Sequence, residues 1–164
     1  MITIYVKDFN EEITQESYDN IINNLDLNTI KCSCGHYGVT VHGYYDRRVK
    51  TVFGSIRLVV MRVKCQTCGK THAILLSSIV PYQSIQLKDQ LRIIMNNNLK
   101  ELMESNLDID ESNISTVRYN YHHYFKQRLI SENIELDSDV VTNCFDLFKR
   151  QFLQIKCQTN ILYT

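Results

Sequence analysis

Two short cysteine motifs are the part of this sequence best suited to chemistry. CSCG at residues 32–35 precedes a basic, strand-patterned stretch, and CQTCG at residues 65–69 follows it. Four thiolates satisfy the tetrahedral coordination of a structural zinc ion. The glycine after each second cysteine suits a tight turn. We predict one structural Zn²⁺, bound by Cys32, Cys34, Cys65 and Cys68.

The first motif has an unusual spacing and leaves alternatives open. Cys32 and Cys34 are separated by one residue rather than two, which leaves room for His36 to replace one of them as a ligand. One alternative is that the cysteines are buried free thiols that bind no metal. Two Cys-Gly pairs near lysines argue against this alternative. A disulfide is disfavoured because nothing marks the chain as exported. Four cysteine ligands remain the prediction.

Length and composition are typical of a small protein with a real core. The chain has 164 residues, of which 44% are hydrophobic, enough for one ordinary domain or two small ones. The N-terminus lacks the basic and apolar regions of a signal peptide. No apolar run is long enough to span a membrane. We expect a cytoplasmic protein with no membrane contact.

The formal net charge of zero hides an uneven distribution along the chain. Residues 1–30 carry one Lys against six acidic residues, a balance of −5, whereas residues 31–75 carry eight Lys and Arg against one Asp, a balance of +7. Some of the lysines near the two cysteine motifs, which we call knuckles, offset the charge of about −2 on a four-thiolate zinc site. The mid-segment cluster Arg47, Arg48 and Lys50 lies far from the cysteines. It is either a surface that contacts phosphates or a solvated turn.

The hydrophobic periodicity divides the chain into three sections and predicts the α+β class. Residues 1–30 form a strand and an acidic helix that pack on a small zinc-ribbon β subdomain, residues 31–80. In that ribbon, Val39, Val41, Gly43 and Tyr45 share one face, and Gly54-Ser55 makes the turn. After Pro81 the period becomes helical, so residues 81–164 form a helical subdomain with three helices. The apolar positions predict the first helix from Leu87 to Met103. They predict a second from Ile114 to Leu129, with Asp110 or Ser112 as its cap, and a third from about Asp137 to Ile155.

A helix-turn-helix is one interpretation of the helical subdomain. Residues 106–114 have the composition of a turn followed by a polar helix cap. The alternative is an ordinary helical join, with acidic residues that would repel phosphate. If the helix-turn-helix interpretation is correct, DNA contacts come from both the hairpin and the helix that follows this turn. The predicted nucleic-acid-binding residues are Arg47, Arg48, Lys50, Arg57, Ser112, Asn113, Ser115, Arg118 and His122.

Residues 30–85 resemble part of a known protein family. The CSCG motif, VHGYYDRR at residues 41–48 and the stretch from IRLVVMRVKCQTCGKTH at residues 56–72 to VPY at residues 80–82 resemble the zinc-binding head of a family of uncharacterised bacterial proteins. That head is similar to the zinc finger that precedes the helix-turn-helix in insertion-sequence transposases. The resemblance implies a DNA-binding, mobile-element origin, with the four cysteines as zinc ligands.

Four further histidines have side chains that can bind a metal or contact phosphate. His42 and His72 are each a ligand, a phosphate contact or a hydrogen-bonded core residue, and we favour the core for both. His122 and His123 cannot form a metal pair because neighbouring helical residues point about 100° apart.

The motifs of common enzymes are missing from the sequence. We find no Walker loop, no dinucleotide-binding glycine motif and no nucleophile elbow. A strand-transfer site needs carboxylates that hold two metal ions on a catalytic domain of its own. We therefore expect no enzymatic activity and no small-molecule substrate. The prediction is a DNA-binding protein, transposase-like or transposon-derived; the alternative is a zinc-stabilised protein interaction module, with a homodimer or another protein as partner.

Overall fold

The chain forms five strands and six helices in the computed structural model, which describes residues 1–6, 12–96, 98–104, 108–137, 139–148, 151–155 and 160–163. A π-helical turn, Tyr121–Phe125, joins the fourth helix to the fifth. This composition confirms the mixed α+β class. In chain order the elements are β1 Ile2–Tyr5, α1 Gln15–Asn23, β2 Val39–Thr51, β3 Gly54–Cys65, β4 Thr71–Leu76, α2 Leu87–Met95, α3 Leu99–Glu104, α4 Glu111–Asn120, α5 Lys126–Ser131, α6 Val140–Phe148 and β5 Asn160–Tyr163.

The strands form one mixed sheet in the order β2-β3-β4-β1-β5. The antiparallel strands β2, β3 and β4 follow one another along the chain, whereas β1 runs parallel to both β4 and β5. All four residues of β1 are buried, as is usual for a strand with parallel neighbours on both sides. The sheet therefore joins the predicted ribbon to the N-terminal section and to β5.

The β2–β3 hairpin differs from the predicted one in two places. Its turn is at Val52 and Phe53 rather than Gly54-Ser55, because the Thr51 hydroxyl accepts the Phe53 N–H and Gly54 already pairs with Thr51. The register also shifts between Val41 and Gly43. This β-bulge places one extra residue, His42, in β2. Strict alternation from Val39 to Tyr45 is therefore wrong.

The described residues form three hydrophobic cores, of which the smallest joins α2 to α4 and the two larger ones include residues of β1. The first joins β1, α1 and the β2–β3–β4 strands, and includes Ile4, Tyr18, Leu58 and Ile74. The second joins Tyr5 and Val80 to the C-terminal helices, through residues such as Phe145. The proposed boundary near Pro81 falls between these two larger cores along the sequence. However, β5, which belongs to the predicted helical section, pairs with β1 of the N-terminal section. The three-part division stays a prediction.

The Tyr18 hydroxyl closes the gap where β3 and β4 separate. It donates to the Ile74 carbonyl at 3.0 Å and accepts the Met61 N–H at 2.9 Å, just past the last paired residues, Arg62 and Ala73. Burial raises the pKa of Tyr18, so the group is a neutral phenol at all ordinary pH values. One α1 side chain thus satisfies two backbone groups of the sheet.

Tyr18→Phe is expected to lower the free energy of unfolding by about 1–3 kcal/mol, because it leaves a buried N–H and a buried carbonyl unpaired. Urea titration followed by circular dichroism measures the loss. Tyr44→Phe, at an exposed tyrosine, is the matched control and should change stability little. Equal effects of the two changes would contradict the bridging role.

The first predicted C-terminal helix is interrupted. One helix was expected from Leu87 to Met103, but α2 ends at Met95 and α3 begins at Leu99. The Asn96 side chain accepts the Asn98 N–H, and the Asn98 side chain accepts the Glu101 N–H. Asparagine side chains that bond to nearby backbone in this way compete with helix propagation. Asn98 thereby starts a second helix in place of continuing the first.

The following helix begins where the sequence indicated. Asp110 is the N-cap of α4, and its side chain accepts the Asn113 N–H at 2.8 Å. The last predicted helix is shorter than expected, because α6 ends at Phe148 and the buried Phe152 lies beyond it. Residues 106–107 of the proposed helix-turn-helix join at 106–114 lie outside the described residues. The helix-turn-helix stays a prediction.

A buried carboxylate fixes the hairpin turn to α2. Asp89 accepts the Val52 N–H at 3.1 Å and the Gln86 amide at 2.7 Å. Gln86 also donates to Glu12, which pairs with Lys88. Burial raises the pKa of Asp89. Folding therefore favours the neutral acid. The stability that this gives is fully present below the ordinary pKa of aspartate and is lost as the pH rises through the raised pKa of Asp89 in the folded protein.

Asp89→Asn is expected to preserve the hydrogen bond from Val52 and to raise the melting temperature at pH 7. At a pH below the ordinary aspartate range the two proteins should melt alike. Thermal denaturation across pH 3.5–7.5 measures the difference, with the exposed Asp139→Asn as control. A melting temperature lowered equally at every pH would mean that asparagine does not reproduce the hydrogen bonds of Asp89, and that its ionisation does not affect stability.

Candidate metal centre and basic surface

The register of the β2–β3 hairpin brings the two cysteine motifs together. Val39, at the start of β2, pairs with Cys65, at the end of β3, and the turn lies at the opposite end of the hairpin. The motif at residues 32–35 immediately precedes β2, and the motif at residues 65–69 connects β3 to β4. Two segments that are distant in sequence therefore meet at the open end of the hairpin.

Both motifs fold as the same kind of knuckle. The Cys32 N–H donates to the His36 carbonyl and the Gly35 N–H to the Cys32 carbonyl; the Cys65 N–H donates to Lys70 and the Gly69 N–H to Cys65. Each of these bonds in the first knuckle spans one residue fewer than its counterpart. Gly35 and Gly69 have φ values of 92° and 70°, in the left-handed region that glycine adopts most easily. The short spacing thus gives a tighter knuckle, not a broken one.

The four sulfur atoms have the dimensions of a single metal site. All four lie within 4.8 Å of one another. Cys32 Sγ is 3.6 Å from Cys68 Sγ, and Cys34 Sγ is 3.8 Å from Cys65 Sγ. A tetrahedron with metal–sulfur bonds of about 2.3 Å has sulfur–sulfur edges of about 3.8 Å. The four-cysteine cluster could therefore hold one metal ion, and His36 is not needed to complete it.

The second knuckle stabilises the deprotonated form of its first cysteine. Backbone N–H groups of Cys68 and Thr67 donate to the Cys65 sulfur and help lower the pKa of this thiol to about 6. Metal ligation requires thiolates, and Cys65 is favoured in that form. Although the Lys70 N–H favours the Cys68 thiolate, desolvation and hydrogen bonds with the neighbouring cysteines raise the pKa of Cys68 to about 11. Cys32 and Cys65 are buried, whereas Cys68 is exposed. The site thus has a protected side within the sheet and an open side at the surface.

Three histidines flank this region, in different ways. His72 is buried, and its Nε2 lies 3.1 Å from Cys32 Sγ. The prediction of a buried, hydrogen-bonded His72 is confirmed, and its partner is a cysteine of the cluster. His42 lies at the bulge and is exposed, so the same prediction for His42 is wrong. His36 is exposed, and its Nδ1 lies 3.6 Å from Cys34 Sγ.

A second group of predicted residues forms a basic face near the turn of the hairpin. Arg48 and Arg57 are directly opposite each other on β2 and β3, and Lys50 lies two residues further along β2. We call Arg48, Lys50 and Arg57 the hairpin basic face. Arg57 pairs with Asp46, and this guanidinium holds the pKa of the Asp46 carboxyl below its usual value.

The hairpin basic face lies beside the start of α4. Arg48 forms an ion pair with Asp108 at 3.1 Å, and Lys50 Nζ donates to Asn113 Oδ1 at 2.7 Å. Two groups of residues that the sequence assigned separately to nucleic acid, on the hairpin and on this helix, are therefore adjacent. Ser112 and Ser115 on α4 are exposed, as is His122 in the π-helical turn.

Two predicted nucleic-acid contacts bond instead to backbone carbonyls of the protein. Arg47 donates to the carbonyls of Val80 and Gln83 at 3.1 and 2.7 Å. Arg118 donates to Asn96, at the end of α2, at 2.7 Å and to Ile93 at 3.4 Å. A cation at the last carbonyls of a helix also complements its dipole. These bonds give Arg47 and Arg118 structural roles, and their predicted contacts with nucleic acid stay untested.

Comparison with known protein families gives one match. Residues 32–119 match the family described as Domain of unknown function (DUF6431), and the matched region is more than half of the chain. The chain belongs to the DUF6431 family. Neither the comparison with curated proteins nor the comparison with solved structures gave a match. The predicted relation to transposase zinc fingers and mobile elements stays a prediction.

The DUF6431 region contains both candidate sites. It begins at Cys32, the first cysteine of the cluster, and ends at Tyr119 in α4. It therefore spans both knuckles, the hairpin basic face and the helix that contacts this face. In the part of the chain that the structure describes, no helix of the DUF6431 protein combines the length and apolar character needed to cross a membrane.

Proposed function

We propose that the protein binds double-stranded DNA through a hairpin held by one structural zinc ion. The adjacency of the hairpin basic face and α4, made by the Arg48–Asp108 and Lys50–Asn113 contacts, carries this proposal. Phosphates would bind the hairpin, and exposed residues such as Ser112 and Ser115 would lie over the groove.

Zinc is the metal that best fits the cluster. Four thiolates with tetrahedral spacing are typical of structural zinc sites, which leave no open position for catalysis. The knuckles hold the open end of the hairpin, and β4 continues from the second knuckle into the sheet. The ion would therefore fix the strands that carry the basic residues, in what we interpret as a zinc ribbon.

The arrangement of charges supports an anionic partner. Like charges directly opposite each other on neighbouring strands destabilise a sheet, and Arg48 and Arg57 have this relation. Their side chains are 69% and 74% exposed, so both remain accessible despite their ion pairs. A phosphate that bridged the two guanidiniums would relieve the repulsion. Exposed ion pairs contribute little stability, so exchanging a carboxylate for a phosphate costs little.

A protein partner is the second candidate. Tyr119 and Ile130 are 59% and 61% exposed, and the Tyr119 ring stacks on that of His123 at 5.2 Å. Exposed apolar and aromatic side chains of this kind are common at protein interfaces. A neutral net charge and the acidic residues around the hairpin are also compatible with this alternative.

Binding to a labelled DNA duplex across a range of salt concentrations tests the proposal. If the hairpin neutralises several phosphates, the logarithm of the binding constant should fall linearly with the logarithm of the salt concentration, with a slope of about −0.9 for each phosphate. Fluorescence anisotropy measures this dependence. No binding at low salt would rule out the DNA proposal and favour the protein partner.

A further inference from the structure

A small cleft lies between α4 and the segment 81–85, apart from the cysteine cluster. Its volume is about 280 Å³. Drug-sized ligands occupy pockets of roughly 300 Å³ or more, so this cleft suits a ligand of one or two rings. One wall is a single edge of α4, where Asn113, Thr116 and Asn120 recur at helical intervals.

The interior of the cleft is apolar and its rim is polar. Ile85 and Val117 line it and are buried. Thr116 and Asn120 also line it, and neither side chain has a hydrogen-bond partner among the described residues. None of the lining residues carries a charge. This combination selects an uncharged group that has flat apolar faces and hydrogen-bonding edges.

Tyr82 is held at the cleft in an unfavourable backbone conformation. The Gln83 N–H donates to the Val80 carbonyl at 3.2 Å, which closes a turn with Pro81 and Tyr82 in the central positions. Tyr82 has φ 64°, at the position where such turns favour glycine or asparagine. Residues in such conformations are common at ligand-binding sites. Here it places an exposed aromatic ring at the cleft, where it could stack on a flat ligand.

We propose that this cleft binds one nucleobase, either as a free nucleoside or as an unpaired base of a nucleic acid. The base would stack on the Tyr82 ring over Ile85 and Val117, and its edge would bond to Thr116 and Asn120. Lys50, which donates to Asn113 at the edge of the cleft, would lie near the sugar or phosphate. This site shares Lys50 with the hairpin basic face, but it does not require Arg48 or Arg57.

Titration of the zinc-loaded full chain with adenosine, guanosine, cytidine and thymidine tests the proposal by ¹⁵N NMR. At least one nucleoside should shift the Asn120 side-chain amide and the backbone amides of residues 82–85. Asn120→Leu should weaken binding about tenfold, the equivalent of one hydrogen bond. Tyr82→Asn, which tolerates the positive φ but removes the ring, should weaken it similarly. Asn143→Leu makes the same change on α6, outside the cleft, and should leave the affinity unchanged.

Two oligonucleotides distinguish the sources of the base. A duplex with one bulged nucleotide and its fully paired counterpart are added in place of the nucleosides. Shifts at the cleft with the bulged duplex alone would identify the ligand as an unpaired base of a nucleic acid. Absence of shifts with all nucleosides and with the bulged duplex would overturn the proposal, as would unchanged affinity in both Asn120→Leu and Tyr82→Asn. Duplex binding lost on changing Arg48 and Arg57 tests the hairpin separately.

Discussion

Chelation of the metal, or the substitution Cys65→Ser, is expected to unfold residues 31–76. The knuckles hold the open end of the hairpin through the four sulfur atoms, and a structural zinc site contributes roughly 10 kcal/mol or more to folding. A serine hydroxyl is a poor replacement for the Cys65 thiolate, which accepts two backbone N–H groups. Much of the helical signal should persist, because the C-terminal helices have a core of their own.

Two measurements check this result. Metal analysis by mass spectrometry should find one zinc per native chain and less in Cys65→Ser. Segment-resolved hydrogen exchange should show lost protection in residues 31–76 and retained protection in α4 and α5. Cys144→Ala is the matched control, because Cys144 is buried outside the cluster and its removal should leave one zinc bound. Simultaneous loss of protection in the helices would instead mean that the chain is one cooperative unit without a boundary near Pro81.

The double substitution Arg48→Gln and Arg57→Gln is expected to weaken duplex binding tenfold or more at low salt. Each guanidinium that contacts a phosphate releases about one counterion, so the salt slope should fall in magnitude by about 2. The loss should be similar for duplexes of different sequence, since phosphate contacts carry no sequence information. Anisotropy titrations at several salt concentrations give both quantities.

The control for this experiment changes the same charge elsewhere. Lys100→Gln with Lys126→Gln removes two exposed cations, from α3 and α5, and should leave both the affinity and the salt slope nearly unchanged. Equal losses in the two double variants would show that net charge, and not the hairpin basic face, controls binding. Unfolding of the hairpin is excluded as a cause if the Arg variant keeps its zinc.

The features that could be predicted from the sequence are those with local causes. Each cysteine motif contains both of its ligands and its turn glycine within a few residues. The four-cysteine cluster could therefore be predicted despite the short spacing of the first motif. Asp110 and Ser112 were the two candidate caps for α4, and the structure selects Asp110. The hairpin strands were found because β-branched residues surround the turn, although the turn itself was placed two residues too late.

The remaining features depend on contacts between distant residues. The bulge at His42 is a property of two paired strands, and it exposes a histidine that the sequence placed in the core. The sequence alone predicts Arg47 and Arg118 to be surface cations. The carbonyl groups that accept their hydrogen bonds come from other parts of the chain. The contact between His72 and Cys32 likewise depends on how β4 follows the second knuckle. No local pattern distinguishes these residues from free surface cations or ordinary core residues.

The central position of β1 has a consequence for biosynthesis. This strand is translated first, yet one of its neighbours, β4, begins at Thr71 and the other, β5, at Asn160. The nascent segment therefore leaves the ribosome as an apolar strand. One hydrogen-bonding edge can pair only after β4 is made, and the other stays unpaired until β5 is made near residue 160. Such edges are templates for association with other chains. We expect nascent chains arrested before β5 to recruit chaperones or aggregate, whereas chains arrested after β5 should not.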